Sequence, residues 1–262
     1  MRTSLFEPFT EIDLPLPDRR DGKVRASWAI GHDRRLIVTT DRLSAFDRIL
    51  AGVPYKGQVL NQLAAWWFDR TADIVPNQVV SGPDPTARLA RAAVPLPVEV
   101  VVRGHITGVT DTSIWGMYSE GQRSIYGYDF PDGLAKNTPL PHHIVTPTTK
   151  AQAGGHDVPL TCAQVVERGL LDPHLWERIM DIALTVCGRG VEIAEQAGLH
   201  LADTTYEFGV THDGELPLID EIHTPDSSGV WMADSYERLL ADCDEPESLD
   251  KEVVRRAFAE LG

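Results

Sequence analysis

The sequence predicts a chain of mixed α and β structure, and three observations carry that expectation. Leu96-Pro-Val-Glu-Val-Val-Val-Arg103 is a β-branched run of the kind that packs on a pleated surface. Leu60, Leu63, Ala64 and Trp67 recur at helical spacing, as do Ile179, Ile182, Ala183, Val186, Ile193 and Ala194. Late in the chain, Asp213-Gly214 stands between two alternating segments, a strong signal for a two-residue hairpin turn.

In chain order, short strands are expected around residues 22–30 and 35–40, with Gly31-His-Asp33 as the loop between them. A helix follows at about 57–71. Residues 76–97, rich in Pro, Ala and Arg, read as a crossing between lobes, and the strand over 96–103 comes next. Between Gly104 and Pro147 glycine, proline and polar residues dominate, so mostly irregular loops are expected, and loops that long are usually functional. Thr161 with Gln164 forms a capping box that opens a short helix. A longer helix spans about 175–197, with Gly198 as its stop. The hairpin over 201–220, a Thr224-Pro-Asp-Ser-Ser-Gly229 loop, an acidic segment and a final short helix complete the chain.

With 262 residues, 42% of them hydrophobic, the chain can build one large domain or two lobes around an ample core. A net charge of -15 argues against nucleic acid as partner, because such binding rests on neutralising phosphates. A single small nucleotide remains compatible, since local lysines and arginines with a metal hold it against the global field. The three cysteines Cys162, Cys187 and Cys243 are widely spaced with no metal-type pair, as suits a reducing cytosol. Neither a secretory leader nor an apolar run of membrane-spanning length is legible, so a cytoplasmic protein without membrane contact is expected.

If Asp213 and Gly214 are the hairpin loop, His212 pairs with Glu215 and Glu207 stands directly opposite Asp220. Opposed Cβ atoms lie about 5 Å apart, and two carboxylates that close repel unless a cation sits between them. Alternation puts Asp203, Thr205 and Glu207 on one face, with Tyr206 and Phe208 on the other. The acidic face suits Mg²⁺, which takes a few carboxylates plus phosphate oxygens; a solvated acidic strand pair is the plain alternative, and Pro217 weakens the register argument.

Lys23 and Arg25 in Gly22-Lys-Val-Arg25 are expected on one side of a strand, either clamping phosphates or forming a solvated basic strand. Lys150 and Asp157 lie in a second polar cluster, as a phosphate and metal contact or as a surface loop. Arg103 ends its strand beside a glycine-rich loop with Glu99 four residues earlier, which allows either bidentate anion binding or an internal Arg103–Glu99 ion pair.

Taken together these segments resemble one family, the SAICAR synthetases (phosphoribosylaminoimidazole-succinocarboxamide synthases). The resemblance runs from about Gly22 to Lys251. It is carried by Gly22-Lys-Val-Arg25, Thr40-Asp-Arg-Leu-Ser-Ala-Phe-Asp47, Leu96 to Gly108, Thr146-Pro-Thr-Thr-Lys-Ala151 with Gly155-His-Asp157, Asp203 with Tyr206-Glu-Phe-Gly209, and Ile219-Asp-Glu-Ile-His-Thr-Pro-Asp-Ser-Ser228. It implies a bilobal α+β enzyme with an ATP-grasp or kinase-like N-terminal β lobe over 1–96 and a larger α+β lobe over 97–262. Such an enzyme binds ATP and Mg²⁺ between its lobes and joins L-aspartate to the carboxylate of an azole ribonucleotide, without nucleic-acid or membrane partners and compatible with a homo-oligomer.

Carried over by resemblance, Lys23, Arg25 and Lys150 contact ATP phosphates and the strand around Glu99 borders the adenine. Glu207 and Asp220, with Asp157 nearby, hold Mg²⁺. Arg103, Asp203, Thr205, Ser227 and Ser228 face the azole, and Arg103, Lys150 and Asp203 serve catalysis. The carboxylate is expected to be phosphorylated before the amine displaces phosphate, which calls for positioning and charge neutralisation and no nucleophilic serine or cysteine.

The chain departs from the family pattern where a lysine is usual and Thr205 stands, where an arginine is usual and Gly229 stands, and where an aspartate is usual and Ala26 stands. Each lost charge-assisted contact costs about 1.5 to 3 kcal/mol. Compensation by Arg123, Arg238 or Lys251 is one expectation. A paralogue acting on a different azole carboxylate, in nucleoside natural-product biosynthesis, is another, and a nucleotide-binding pseudoenzyme is a reading from a different class.

Overall fold

In a computed structural model the structure describes residues 6–46, 48–110, 112–150 and 157–260. Mixed helices and strands make the chain α+β. It forms two compact units, one of Met1–Pro95, Gly209–Thr224 and Val254–Gly262, the other of Leu96–Phe208 and Pro225–Val253.

The first unit opens with β1 (Arg20–Asp21), β2 (Arg25–Ile30) and β3 (Arg34–Thr39), followed by the ribbon β4 (Arg42–Ala45) and β5 (Arg48–Gly52), then α1 (Lys56–Arg70). Residues 76–97 differ from expectation, since β6 (Val79–Asp84) and β7 (Ala87–Arg91) fold back as a hairpin and complete a five-stranded sheet ordered β1-β2-β3-β7-β6. The period was hidden by Arg88, a charged residue 1% exposed at a position where alternation calls for an apolar one. Ala26, Trp28, Val38 and Ala87 form the core on one face of this sheet, covered by Phe9, Ile12, Leu14 and Leu16 from the preceding segment. So Ala26, where the family has aspartate, is an apolar core residue here.

α1 starts after Tyr55 at φ 67 with no side-chain cap of its own. Asp41 supplies one from β4's approach: its carboxylate accepts the Gly57 N–H at 2.8 Å, the Tyr55 N–H at 3.2 Å and the Phe9 N–H at 2.9 Å. Gly57 is required there, because a Cβ would sit 2.5 Å from the Thr39 carbonyl oxygen.

β8 (Ala93–His105) carries the chain into the second unit. The stretch expected as loops contains α2 (Ile114–Ser119), capped by the Ser113 hydroxyl at 3.0 Å from the Gly116 nitrogen, the small ribbon β9 (Ser124–Ile125) and β10 (Tyr128–Asp129), and the long β11 (Pro139–Thr149). β11 pairs antiparallel with β8, Ile144 opposite Arg103 and Thr148 opposite Glu99. Its three prolines disguise it, and they are tolerated because β11 ends the strand order, its outer edge met by the short return at residues 158–160 near its end.

The capping box at Thr161 and Gln164 opens α3 (Cys162–Glu167), and α4 (Pro173–Gln196) runs from Asp172, whose carboxylate caps it, to Gly198 at φ 72. β12 (Leu199–Thr211) follows, then β13 (Leu218–Ile219), β14 (Ser228–Met232), α5 (Ala233–Ala241) and α6 (Glu252–Glu260). In the second unit β12 lies beside β8, and β14 pairs with it antiparallel, Asp203 opposite Gly229.

The hairpin turn corrects the expected register. The Thr211 N–H reaches the Glu215 carbonyl at 3.0 Å and the Gly209 N–H reaches that of Pro217 at 3.1 Å. The loop therefore has three residues, His212 to Gly214, not two. A type I′ turn needs positive φ at both central positions and a type II′ turn at the first, yet of Asp213 and Gly214 it is Gly214, at φ 84, that adopts it. The Thr211 hydroxyl further ties the longer loop by accepting the Glu215 N–H at 3.0 Å. Counting from these pairs shifts the register by one, so the hairpin does not set Glu207 directly opposite Asp220 as expected.

Candidate functional site

In the first unit the glycine turn is the tip of the β1–β2 hairpin. Asp21 pairs with Ala26, and the Gly22 N–H donates to the Arg25 carbonyl at 2.7 Å, so Lys23 and Val24 are the two tip residues. Lys23 is exposed on that tip and not on a strand, which removes the strand-alternation argument that placed it on the side of Arg25. The arginine begins β2 and points at the Asp220-Glu221 pair: Nη1 bonds Asp220 Oδ1 at 2.7 Å and Nη2 bonds Glu221 Oε2 at 2.5 Å. Glu221 is buried and also accepts the Thr224 hydroxyl at 2.6 Å.

Asp220 follows β13 at φ 61, a left-handed backbone unusual for any residue but glycine, and His223 does the same at φ 51. Backbone of this kind persists only where surroundings over-determine it, and it gathers at functional sites. Two donors converge on the Asp220 carbonyl, Gln78 Nε2 at 3.2 Å and Arg88 Nη2. Burial lowers the Arg88 pKa to about 10. His223 packs edge-on against Trp67 at 4.6 Å between ring centres, and burial pushes its pKa down to about 3.

In the second unit Arg103 is buried. Its Nε–H donates to Thr146 Oγ1 at 2.9 Å, Nη2 to the Thr112 carbonyl at 3.2 Å, and Nη1 to Asp203 Oδ2 at 3.2 Å. Among the described residues its carboxylate partner is thus Asp203 on the neighbouring β12, not Glu99 on its own strand. Asp203 is also held by the Gly229 N–H at 2.8 Å from Oδ1. Along β12 burial alternates as the period of two requires: Asp203, Thr205 and Glu207 are half-buried, while Thr204, Tyr206 and Phe208 are buried. Glu207 is ion-paired with Lys150, which follows β11.

Asp157 lies where the chain returns beside β11, its neighbour Val158 exchanging hydrogen bonds with Thr149. The Thr205 N–H bonds the Ser227 carbonyl at 2.9 Å, which places Ser227 beside Thr205. Ser228 is different: it is buried and donates to Thr204 Oγ1 at 2.9 Å, on the opposite face. Asp47, Ala151, Gly155 and His156, which contribute to the resemblance, lie outside the described residues.

The three cations considered as substitutes each have an anionic partner. Arg123 binds Asp132 at 2.7 Å, Arg238 lies 3.7 Å from Asp242, and Lys251 binds the buried Asp226 at 3.2 Å. Of the three, Lys251 is the one that reaches the Pro225–Gly229 loop.

The donor chemistry fits Mg²⁺. Asp220, in the first unit, is a hard carboxylate, and one of its oxygens, Oδ2, has no hydrogen bond among the described residues while its side chain is 37% exposed. No group of three or more His, Cys, Asp or Glu able to hold a metal is found among the described residues. Mg²⁺ does not require one, since it is commonly held by one or two carboxylates together with phosphate oxygens. No helix of the described residues is long and apolar enough to cross a membrane.

Sequence reasoning missed Asp41, Gln78, Arg88 and Glu221. Asp41 and Glu221 stand inside segments that carry the resemblance, whereas Gln78 and Arg88 act on a backbone carbonyl far along the chain, for which sequence offers no signal.

The chain is similar to the phosphoribosylaminoimidazole-succinocarboxamide synthase of Legionella pneumophila, 46% identical over 251 residues that cover 96% of this chain and 80% of the relative. It is also similar to the SAICAR synthase of Saccharomyces cerevisiae solved with SAICAR, at 29% identity and a TM-score of 0.80, covering 96% of this chain and 87% of that one. A type-2 SAICAR synthetase solved with ADP shares the fold at 23% identity and a TM-score of 0.74, covering 91% and 90%. The family model for SAICAR synthetase matches residues 18–262, and the chain belongs to the SAICAR synthetase family.

Proposed function

We propose that the protein uses ATP to join the amine of L-aspartate to the carboxylate of carboxyaminoimidazole ribonucleotide, giving the amide, ADP and phosphate. The observation that carries this reading is the pair of charge-matched sites in the second unit, Arg103 with Asp203 and Lys150 with Glu207, on residues that match the family's motifs. The azole carboxylate oxygen attacks the terminal phosphorus of ATP and ADP leaves. The aspartate nitrogen then adds to the carboxyl carbon, phosphate departs, and the amine loses a proton. Glu207 and Asp220, with Asp157 nearby, would hold Mg²⁺, which when bound would supply charge neutralisation at the phosphate.

The chain's own residues supply the rest. Lys23 and Lys150 neutralise nucleotide phosphates, and Glu99 borders the base. Arg25 orients Asp220 and Glu221 through its two bonds, a role its geometry supports better than phosphate contact. Arg103, fixed by Thr146 and Asp203, presents a rigid cation to the azole nucleotide, with Thr205 and Ser227 beside it. Ser228, turned to Thr204, supports the strand pair. The three cysteines are free, as suits a cytoplasmic setting.

The test is aspartate-dependent ADP release from carboxyaminoimidazole ribonucleotide, with the amide identified by mass. Nucleotide binding without turnover would overturn it and leave the pseudoenzyme reading. A second reading, a different azole carboxylate as substrate, draws on Gly229: a Cβ there would lie 2.6 Å from Asp203 Oδ1, so this chain has committed Asp203 to the backbone where the family places a cation. A panel of azole carboxylates decides between the two by kcat/KM.

A further inference from the structure

We propose that Arg88 is a positioning residue for the Asp220 carboxylate, acting through the Asp220 carbonyl; this rests on the reading of Asp220 as a Mg²⁺ carboxylate. Arg88 is on β7 opposite Ile37, is 1% exposed and lies over the Phe68 ring at 5.9 Å. Its Nη2 donates to the Asp220 carbonyl, which also accepts from Gln78 Nε2 at 3.2 Å. Its other donors, Nε and Nη1, are buried with no hydrogen bond among the described residues. An interior arginine with unpaired N–H groups is a poor device for stability, and an apolar side chain of similar size serves a core better.

What the arrangement does supply is direction. Asp220 has a left-handed φ of 61, so its carboxylate points where a strand residue's would not, and that orientation lasts only if the following peptide is held. Two buried donors on one carbonyl hold that peptide. Arg25 then fixes Oδ1 at 2.7 Å, and Oδ2 is the oxygen left to a cation. Nothing in the resemblance marks position 88, and the residue touches neither nucleotide nor metal in this scheme.

The experiment is calorimetric titration of ADP into the full chain at a series of Mg²⁺ concentrations, with thermal unfolding alongside. Arg88→Met is expected to raise the Mg²⁺ concentration for half-maximal ADP binding by about 10- to 100-fold, the usual effect of losing a residue that orients a metal ligand. ADP binding in EDTA and the melting temperature should not fall. An unchanged Mg²⁺ requirement overturns the proposal. Asp220→Asn separates the two layers: if it leaves the requirement unchanged, the reading of Asp220 fails, and if it raises the requirement while Arg88→Met does not, only the role of Arg88 fails. In the double variant Arg88→Met should add nothing, and a further rise would show that it acts elsewhere. Should Arg88→Met not fold, Gln78→Met reports on the same carbonyl, where a smaller rise is expected and a wild-type requirement overturns the proposal.

Discussion

Gly229 decides more by lacking a side chain than its neighbours do by having one. Its N–H bonds Asp203 Oδ1 at 2.8 Å, and an added Cβ would stand 2.6 Å from that oxygen, so any other residue forces the carboxylate away. Gly229→Ala should therefore loosen Asp203 from both the backbone and Arg103. The loss is that of a hydrogen bond to a charged acceptor, about 1.5 to 3 kcal/mol, discounted because the Asp203 side chain is 25% exposed. Urea unfolding should show about 1 kcal/mol of destabilisation, and the KM for the azole should rise. A variant with unchanged stability and KM would mean that the carboxylate simply swings aside. Gly229→Arg brings the same collision as alanine, so restoring the family's arginine confounds gain with damage. Thr205→Lys is the cleaner probe of the missing charge, because Thr205 lies on the half-buried face of β12 beside Asp203 and Glu207. With the purine intermediate it should lower the KM about tenfold or more, the equivalent of one charge-assisted contact.

At the scale of elements, α1 owes its start to a residue that is not part of it. Tyr55 offers no side-chain cap, and Asp41, 5% exposed, accepts three backbone N–H groups that join the N-terminal segment, the end of the β4–β5 ribbon and the first turn of the helix. Asp41→Ala leaves three donors without acceptors, the Gly57 N–H buried and the other two part-buried, and should cost about 2 to 4 kcal/mol, read as a drop in the urea midpoint. Asp41→Asn keeps one acceptor oxygen and should cost less; equal losses would argue that charge and not hydrogen bonding holds the junction. Such long-range capping explains what was legible. The β-branched run of β8, the periodic face of α4, its Gly198 stop and the capping box of α3 were readable, because each is a local pattern with a local cause. β7 was hidden by the buried Arg88, β11 by prolines that an edge strand tolerates, and the turn register by a hydroxyl that reaches across it. In the site, the alternation of Asp203, Thr205 and Glu207 was legible from the period of two. The clamp on the Asp220 carbonyl was not, since its donors lie 142 and 132 residues away.

At the scale of the whole molecule, each unit holds a histidine whose pKa burial pushes far down, and this shapes how the protein meets acid. Burial lowers the pKa of His223, in the first unit, to about 3 and that of His105, in the second, to about 4. Both are depressed below the unfolded value of about 6.5, so their contribution is complete above that pH and is lost as pH falls toward the folded values. Between pH 7 and pH 5 each histidine removes about 2 kcal/mol. Asp250 works the other way in the second unit. Burial raises its pKa to about 6 although both oxygens accept backbone N–H groups, from Val230 and Glu252 at 2.7 Å. A raised carboxyl is stabilising below its unfolded pKa and loses that contribution as pH climbs through about 6, so moving from pH 7 to 5 returns about 1 kcal/mol. From these three groups the first unit should weaken by about 2 kcal/mol and the second by about 1 kcal/mol, and His143, which burial also holds below its ordinary pKa, adds to the loss in the second. Urea unfolding at the two pH values and constant ionic strength measures the sum if the units melt together, and separate shifts of unequal size if they do not. His223→Gln should flatten the larger shift and His105→Gln the smaller, while Asp250→Asn should steepen the pH dependence of the second unit. A stability that stays level from pH 7 to 5 in the native chain would show that neither histidine is held neutral by its surroundings.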